Sequence, residues 1–459
     1  MHRWKRAAAL LAAVVTAGAG LAVTAPAAWA DGGAPWPDAD GDGWTAAVDC
    51  ADDDRAVHPG QVEFPGNGWD DDCDGGSADA PPGKLYGWGR NSNGTAGTGH
   101  AGPDVRTPAV TVVPDGVVRA ELGSNAGFAL LADGRLLSWG GNNAGVLGSG
   151  TFDGPYRETP APVVGLDGTG ELSDVRRIAA HDFAAAAVRA DGTVVTWGFN
   201  ANGQLGDGTS GAPRNRPGLV LTAPGTPLTG VRDVEAAYGA AYALMADGTV
   251  TAWGAVRCLG APSAPRPFAA PIAGLDNIRQ IAGSGSVMLF LRKDGTVLSC
   301  GSSSAELGRE YHTNGPTSEH RPNPVTGLGS GGAVVDIAGS GSTAAALQED
   351  GSVYMWGRNL NGELTPIVPP GSSTRVPMPV PLPAGAPVIG LDHDSSANVL
   401  LTRADGSMLA WGANANGSAG TGTAGGVAAP TPIEVPGRVV RQAVTSSVNG
   451  LALTLPVAG

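Results

Sequence analysis

The sequence predicts an all-β protein whose main domain, residues 81 to 459, is a seven-bladed β-propeller. A Trp-Gly pair recurs six times, and Cys300-Gly301 takes its place once, at intervals of 47 to 58 residues. In six of the seven copies an Asp-Gly pair lies six residues before it. The tryptophans are Trp88, Trp139, Trp197, Trp253, Trp356 and Trp411, and the aspartates are Asp133, Asp191, Asp247, Asp294, Asp350 and Asp405. A fixed period of this size is typical of repeat architectures.

Each repeat is interpreted as four short strands. In the copy from Val175 to Gly198, two apolar runs flank Asp191-Gly192, which is a strong hairpin signal because Gly accepts positive φ. A turn-rich segment, Asn200 to Gly206, follows the Trp-Gly pair and has counterparts after Trp139, Trp356 and Trp411. A Pro-rich stretch ending in Gly-Leu then opens the next repeat. No stretch after residue 80 has a helical period over three turns, so the domain is expected to be all-β.

The two ends of the repeat region predict how the ring closes. Only one strand, Lys84 to Trp88, precedes the first Trp-Gly pair. The missing early strands are found at the other end of the chain, in Val439 to Val444 and Leu451 to Leu455. One blade is therefore expected to combine both termini, which leaves no open sheet edge.

The repeat consensus resembles that of the RCC1 (regulator of chromosome condensation) family. The shared pattern is Val/Ile-x-x-Ile-Ala-x-Gly, then Ala-Leu-x-x-Asp-Gly-x-Val-x-x-Trp-Gly-x-Asn-x-x-Gly-x-Leu-Gly. The resemblance implies a seven-bladed propeller. This sequence departs from it at Cys300, which replaces Trp, and after Trp253, where the repeat is shortened. Most copies also lack the His that is common before the second strand. These departures make blades four and five the least regular.

Residues 1 to 30 are predicted to be a signal peptide. Arg3, Lys5 and Arg6 precede an apolar run, and Ala28-Trp29-Ala30 offers a cleavage site. A transmembrane anchor is the alternative, and the shortness of the run disfavours it. The chain is therefore expected to be secreted and extracellular, to begin at Asp31 and to have no membrane span. The excess of Arg over Lys and the Ala/Gly/Pro-rich composition suggest a bacterium with high GC content.

Residues 31 to 80 are predicted to form an acidic metal-binding module. They hold 14 acidic residues against the single base Arg55. Carboxylates at positions 1, 3, 5 and 12 of a loop, with Gly43 at position 6, match the calcium-loop template. The candidate ligands are Asp38, Asp40, Asp42 and Asp49, together with the main-chain carbonyl of Trp44 at position 7. The expected ion is calcium, bound with the low affinity that is typical of extracellular calcium modules. Another divalent metal is the alternative.

A second acidic cluster repeats this alternation without an acid at position 12. Its candidate ligands are Asp70, Asp72 and Asp74. The whole stretch from Asp38 to Gly75 resembles the metal-binding motif of MopE-like extracellular bacterial proteins, some of which bind copper. A solvated, disordered spacer is the alternative interpretation. Trp36, Trp44 and Trp69 have little core around them and are candidates for docking the module onto the propeller or a partner.

Four cysteines in an exported chain favour disulfides over thiol chemistry. Cys50 and Cys73 flank the acidic loops and are expected to pair. Cys258 and Cys300 lie in adjacent repeats, and their separation cannot be judged from the sequence. A Cys₄ zinc site is disfavoured because no Cys-x₂₋₄-Cys spacing occurs.

The sequence favours a protein-interaction module over an enzyme. The phosphate-loop, Gly-x-Ser-x-Gly and His-Glu-x-x-His motifs are absent, and the pI of about 4.8 disfavours nucleic-acid binding. The loops that vary most between repeats are candidates for recognition of an extracellular protein by a monomeric scaffold. They span 153–158, 211–216, 311–321 and 365–375. The resemblance to RCC1-like propeller inhibitors of β-lactamase points to inhibition of another secreted protein.

Two alternative functions remain. A polysaccharide lyase or hydrolase would need two or more acids with perturbed pKa values at the centre of the ring. Guanine-nucleotide exchange, the activity of the name-giving family member, is implied by the resemblance alone, and export disfavours it.

Overall fold

The computed structural model describes most of the repeat region and parts of the acidic segment. The described residues are 39, 44, 46–54, 57–59, 73, 83–181, 184–237, 239–259, 264–284, 287–301, 305–309, 321–329, 331–393, 398–435 and 438–456. The predicted signal peptide, residues 1 to 30, lies outside them. In the described part of the chain, no helix is long and apolar enough to cross a membrane.

The described residues form seven four-stranded antiparallel sheets and one small two-stranded sheet. The strands are β1 (Lys84–Gly89), β2 (Val105–Val110), β3 (Val117–Leu122), β4 (Ala126–Leu131), β5 (Leu136–Gly141), β6 (Tyr156–Pro162), β7 (Val175–His181), β8 (Ala184–Arg189), β9 (Val194–Gly198), β10 (Arg214–Leu219), β11 (Leu221–Ala223), β12 (Thr226–Pro227), β13 (Val231–Ala237), β14 (Ala240–Met245), β15 (Val250–Gly254), β16 (Arg266–Pro271), β17 (Ile278–Ser284), β18 (Val287–Arg292), β19 (Val297–Gly301), β20 (Asn323–Pro324), β21 (Val334–Gly339), β22 (Thr343–Gln348), β23 (Val353–Arg358), β24 (Ser373–Pro379), β25 (Val388–Asp392), β26 (Asn398–Arg403), β27 (Met408–Gly412), β28 (Val427–Ile433), β29 (Arg438–Thr445) and β30 (Asn449–Pro456). A single 3₁₀ turn, Asn143–Gly145, is described between β5 and β6.

Blade 1 closes the ring as the sequence predicts. Its sheet has the order β2-β1-β30-β29, so the first two strands of the repeat region pair with the last two. Tyr86 of β1 lies opposite Ala452 of β30. Blades 2 to 7 each follow chain order, from β3–β6 through β7–β10, β13–β16, β17–β20 and β21–β24 to β25–β28. Blades 4 and 5 keep four strands despite their irregular sequences, although β20 has only two residues.

The repeated tryptophans hold neighbouring blades together. All six are buried, with no exposed surface. Each indole N–H donates a hydrogen bond of 2.7–3.0 Å to a main-chain carbonyl in the turn-rich segment of the preceding blade. Trp197, for example, donates to Val146, and Trp253 donates to Gln204. This confirms the interpretation of the Trp residues as packing groups.

The turns divide the propeller into two faces. In each Asp-Gly turn an aspartate oxygen accepts the main-chain N–H two residues later, as from Asp191 to Thr193 at 2.9 Å, which confirms the predicted hairpins. Because the strands alternate in direction, the six Asp-Gly turns and the starts of the inner strands share one face, here called the Asp-Gly face. The long connections between the third and fourth strands lie on the opposite face, here called the loop face.

Candidate functional site

The described residues of the acidic segment include a disulfide. Cys50 and Cys73 are bonded with their Cα atoms 5.5 Å apart, which confirms the predicted pairing. Trp44 stacks on His58, with ring centroids 6.3 Å apart and planes 10° apart. The main-chain N–H of Ala51 donates to an Asp49 carboxylate oxygen at 2.7 Å, a local bond that shapes the turn. These contacts give residues 44, 46–54, 57–59 and 73 a defined conformation.

Only two of the eight predicted metal ligands fall within the described residues. Asp49 is buried, and Trp44 is half-buried against His58. The other six, Asp38, Asp40, Asp42, Asp70, Asp72 and Asp74, lie outside the described residues. Asp49 has an oxygen within 4.8 Å of the sulfurs of Cys50 and Cys73. Because those sulfurs are bonded to each other, they are not thiolates, and this group does not form a sulfur-ligated metal site.

A carboxylate oxygen of Asp52, three residues after Asp49 in the sequence, fits a hard cation. Oδ1 of Asp52 is buried and has no hydrogen-bond partner among the described residues. A buried carboxylate oxygen is costly to leave unpaired, and a bound cation would satisfy it. Oxygen donors of this kind suit Ca²⁺. Asp49 and Asp52 are therefore the described residues that would hold a metal ion.

The acidic segment docks onto the Asp-Gly face through two ion pairs. Arg279 of β17 contacts Asp54 at 3.0 Å, and both side chains are buried, with 2% and 0% of their surface exposed. Lys293, which precedes the Asp-Gly turn of blade 5, contacts Asp53 at 2.8 Å and is closer to solvent. Val57, three residues after Asp54, is fully buried. A buried carboxylate and a buried guanidinium are tolerated because each pairs with the other.

Arg279 also lines the central channel of the propeller, so the docked segment lies at one entrance. The channel is a cavity of about 190 Å³ whose walls are the inner strands. Its wall carries both signs of charge. The charged residues are Arg119, Glu121, Asp233, Glu235, Arg279, Asp336, Asp392 and Arg441. Arg232 of β13, whose pKa burial lowers to about 10, lies near enough to Asp54 to attract it.

Three channel acids have raised pKa values. Burial raises the pKa of Glu121 to about 7 and that of Asp336 to about 6. Burial, followed by the neighbouring Glu121 carboxylate, holds the pKa of Glu235 well above its ordinary value. Acids with perturbed pKa values at the centre of the ring are the requirement that the sequence analysis gave for an enzyme. The three residues themselves were not identified from the sequence. The signal in the sequence was an acidic residue within an inner strand, namely Glu121 in β3, Glu235 in β13 and Asp336 in β21.

Several side chains of the channel wall bridge adjacent blades. Oδ2 of Asp336 in blade 6 accepts the main-chain N–H of Leu391 in blade 7 at 3.1 Å. Asp392 of blade 7 accepts the N–H of Thr445 in blade 1 at 2.7 Å. Gln280 and Gln442 pair with the inner strand of the next blade in the same way. Glu235 accepts the N–H of Gly283. These carboxylates and amides therefore stabilise the ring.

Comparisons with known proteins agree with the fold and with the acidic motif. The model of the RCC1-like domain matches residues 83–452. The MopE model, described as "Putative metal-binding motif", matches residues 49–79. The chain is 26% identical over 347 residues to the ultraviolet-B receptor UVR8 of Arabidopsis thaliana, covering 73% of this chain and 74% of that protein.

A second curated relative is far longer than this chain. The chain is 31% identical over 244 residues to the mouse E3 ubiquitin-protein ligase HERC2. That match covers 50% of this chain and 5% of HERC2, so the chain spans about one-twentieth of that relative's length.

Solved propellers of low identity share the architecture. The chain aligns with Prp20p of Saccharomyces cerevisiae with a TM-score of 0.67 at 20% identity, covering 83% of this chain and 93% of that one. Human WBSCR16 aligns with the same score at 19% identity, covering 82% and 100%. At these identities the likeness shows the fold alone. The match of residues 83–452, the seven blades and the Trp-Gly repeat together show that this chain belongs to the RCC1-like domain family.

Proposed function

We propose that this protein is a secreted bacterial protein-interaction scaffold that binds another extracellular protein through its loop face. In this proposal the acidic segment is a calcium-binding accessory docked on the opposite face. The propeller supplies a rigid frame, and the connections between the third and fourth strands supply recognition.

The exposed aromatic side chains carry this proposal. Phe152 is 55% exposed, and Tyr156 and Phe199 are each 39% exposed. All three lie at the connections between third and fourth strands, and no other described aromatic residue is as exposed. Leu360, at 60% exposure, occupies the same kind of connection in blade 6. Exposed aromatic groups on one face of a rigid scaffold are typical of the centres of protein interfaces.

The variable connections support the same face. Residues 153–158, 211–216 and 365–375 are described and lie on the loop face. Residues 311–320 of the fourth variable stretch lie outside the described residues. Loops on a packed scaffold accept sequence change without loss of the core, so they are suited to acquiring a partner.

Relatives of this fold are described as binding proteins. A yeast RCC1 propeller, Prp20, has been seen bound to Kap60, and Prp20p is described as binding Gsp1p and histones. These partners belong to those proteins. They support the use of this fold as an interaction scaffold and do not identify a partner for this chain.

The acidic segment would contribute a structural metal ion. Asp49 and the orphaned oxygen of Asp52 are hard donors beside a disulfide. Ca²⁺ bound there would screen the repulsion among the concentrated carboxylates of residues 31 to 80 and fix the loop. The ion is proposed as structural because Asp49 is buried and faces the disulfide.

Affinity capture followed by a loop-face double variant tests the proposal. The mature chain, residues 31 to 459, is immobilised and exposed to culture fluid of its source organism, once with calcium and once with chelator. Affinity for the recovered protein is then measured with Phe152→Ala/Phe199→Ala and with the control Met378→Ala, which removes an exposed apolar group from β24. The proposal predicts a loss of about tenfold or more for the double variant alone. Equal affinities, or no stoichiometric partner, would contradict it.

A carbohydrate lyase or hydrolase is the second candidate, and the channel acids favour it. Burial raises the pKa of Glu121 to about 7 and holds that of Glu235 well above its ordinary value, and carboxyl groups shifted in this way can act as general acids. Against it, a cavity of about 190 Å³ is smaller than the roughly 300–1,000 Å³ of typical ligand sites. Glu235 is also engaged by Gly283. Turnover of a polysaccharide panel by the unaltered protein but not by Glu121→Gln would establish this function instead.

A further inference from the structure

We propose that Arg279 and Lys293 of the propeller are positioning residues for the metal site of the acidic segment, so that docking and metal binding strengthen each other. This inference rests on the metal-binding part of the proposed function. It adds that the site is assembled from two distant parts of the chain, and that the propeller sets its affinity.

The acidic run from Asp49 to Asp54 is divided between two tasks. Asp53 and Asp54 are committed to Lys293 and Arg279. Asp52, between the docking residues and Asp49, keeps a buried oxygen without a hydrogen-bond partner among the described residues. The four aspartates belong to the stretch 49–79 that matches the metal-binding motif. Asp53 and Asp54 each have a cationic partner on the propeller, so we assign the ion to Asp49 and Asp52.

Short-range hydrogen bonds link the residues from Asp49 to Val57, so that fixing one of them restrains the others. The main-chain N–H of Asp54 donates to the carbonyl of Ala51 at 2.7 Å, and that of Val57 donates to Asp54 at 2.8 Å. The N–H of Ala51 donates to the Asp49 carboxylate at 2.7 Å. The Cys50–Cys73 disulfide fixes the other side of the turn. Fixing Asp54 on Arg279 therefore also fixes the positions of Asp52 and Asp49.

Electrostatics predicts that docking and metal binding favour each other. Fourteen acidic residues are crowded into residues 31 to 80, so gathering several carboxylates around an ion costs repulsion. Arg279 and Lys293 neutralise two neighbours of the metal ligands and hold the turn in place before the ion binds. A preorganised site binds more tightly because less ordering is needed on binding. By thermodynamic reciprocity, the ion must then strengthen docking by the same factor.

Arg279 has a close counterpart for comparison. It occupies the bulge of its inner strand, between the paired residues Ile278 and Gln280. Arg176 occupies the same position in blade 3, between Val175 and Arg177, and its side chain is exposed. Replacing Arg176 removes the same charge from the same kind of strand position, at a residue that forms no ion pair with the described part of the acidic segment.

Calcium titration of full-length mature variants tests the coupling. After treatment with chelator and with disulfides intact, Ca²⁺ affinity is measured calorimetrically for the unaltered protein, Arg279→Gln, Lys293→Gln and the control Arg176→Gln. Hydrogen exchange of residues 46–54 and 57–59 is followed for each, with and without Ca²⁺. Near-ultraviolet circular dichroism verifies folding. Lys293→Gln alters a partly exposed pair, so it keeps the test valid should Arg279→Gln fail to fold.

Affinity for Ca²⁺ is expected to fall roughly fivefold or more in Arg279→Gln and by less in Lys293→Gln, and to stay unchanged in Arg176→Gln. Residues 46–54 should lose exchange protection in Arg279→Gln and recover part of it when Ca²⁺ is added. Equal Ca²⁺ affinity in a variant whose segment is released would overturn the coupling while leaving metal binding intact. Absence of Ca²⁺ binding by the unaltered protein would overturn the metal-binding function itself, together with the coupling.

Discussion

Cys258 and Cys300 are bonded at the seam where the tryptophan hydrogen bond is missing. Cys300 occupies the position of the repeated Trp in blade 5, and Cys258 the position of Gln204, whose carbonyl accepts Trp253 at the preceding seam. Their Cα atoms are 5.3 Å apart. A covalent bond therefore replaces, at one seam, the hydrogen bond that connects blades at the other six.

Loss of this disulfide should destabilise the ring. The bridge spans 42 residues, and Cys258→Ser/Cys300→Ser should lower the free energy of unfolding by roughly 2–4 kcal/mol. The double variant Cys258→Gln/Cys300→Trp, which recreates the pair found at Gln204 and Trp253, should recover part of that loss. Chemical denaturation under non-reducing conditions measures both. A double serine variant as stable as the unaltered protein would show that the interface between blades 4 and 5 does not depend on this disulfide.

Removing one indole donor should weaken a seam. Trp197→Phe leaves the buried Val146 carbonyl without the 2.7 Å bond that it accepts. An unsatisfied buried acceptor and the smaller ring should together cost about 2–4 kcal/mol, measured by denaturant unfolding. Tyr86→Phe removes a polar group from another buried aromatic residue and serves as the control. Equal effects of the two substitutions would contradict a specific role for the indole N–H.

Glu121→Gln should stabilise the protein at alkaline pH and change little in acid. The folded-state pKa of Glu121 is raised from 4.5 to about 7, so the favoured form is protonated. Its contribution to stability is fully present below pH 4.5 and is lost as the pH rises through 7. Because the side chain is only half-buried, the gain at pH 8 should be at most about 2 kcal/mol.

Thermal unfolding at pH 5 and pH 8 checks this expectation. Glu434→Gln, an exposed position, is the control and should behave alike at both values. A gain for Glu121→Gln that is equal at the two pH values would show that ionisation of this carboxyl is not its cause.

His393 should remain neutral at pH values where exposed histidines are charged. Burial lowers its pKa. Nδ1 lies 2.7 Å from the carbonyl of Asn398, and Nε2 is hydrogen-bonded to the Thr343 hydroxyl, so the ring carries its proton on Nδ1. Long-range ¹H–¹⁵N spectra of His393 from pH 7 to pH 5 should show one static Nδ1–H tautomer. Titration of His393 near pH 6.5 would contradict this environment.

The periodic features could be predicted from the sequence, because the same residue types recur at the same spacing in nearly every repeat. The Asp-Gly turns, the buried tryptophans and the closure of β1 on β30 follow from spacing alone. The bond between Cys258 and Cys300 stayed open because two aberrant positions reveal nothing about their distance. The docking of Asp54 on Arg279, 225 residues away, has no periodic signal at all. This contact depends on two buried charges of opposite sign that are adjacent only in the folded protein.

We propose that recognition takes place on the loop face, opposite the docked acidic residues. Hydrogen exchange of the protein with and without its captured partner tests this proposal. Protection is expected for residues 153–158, 211–216 and 365–375, with the exchange of residues 46–54 unchanged. Protection confined to the Asp-Gly turns and residues 46–54 would contradict it.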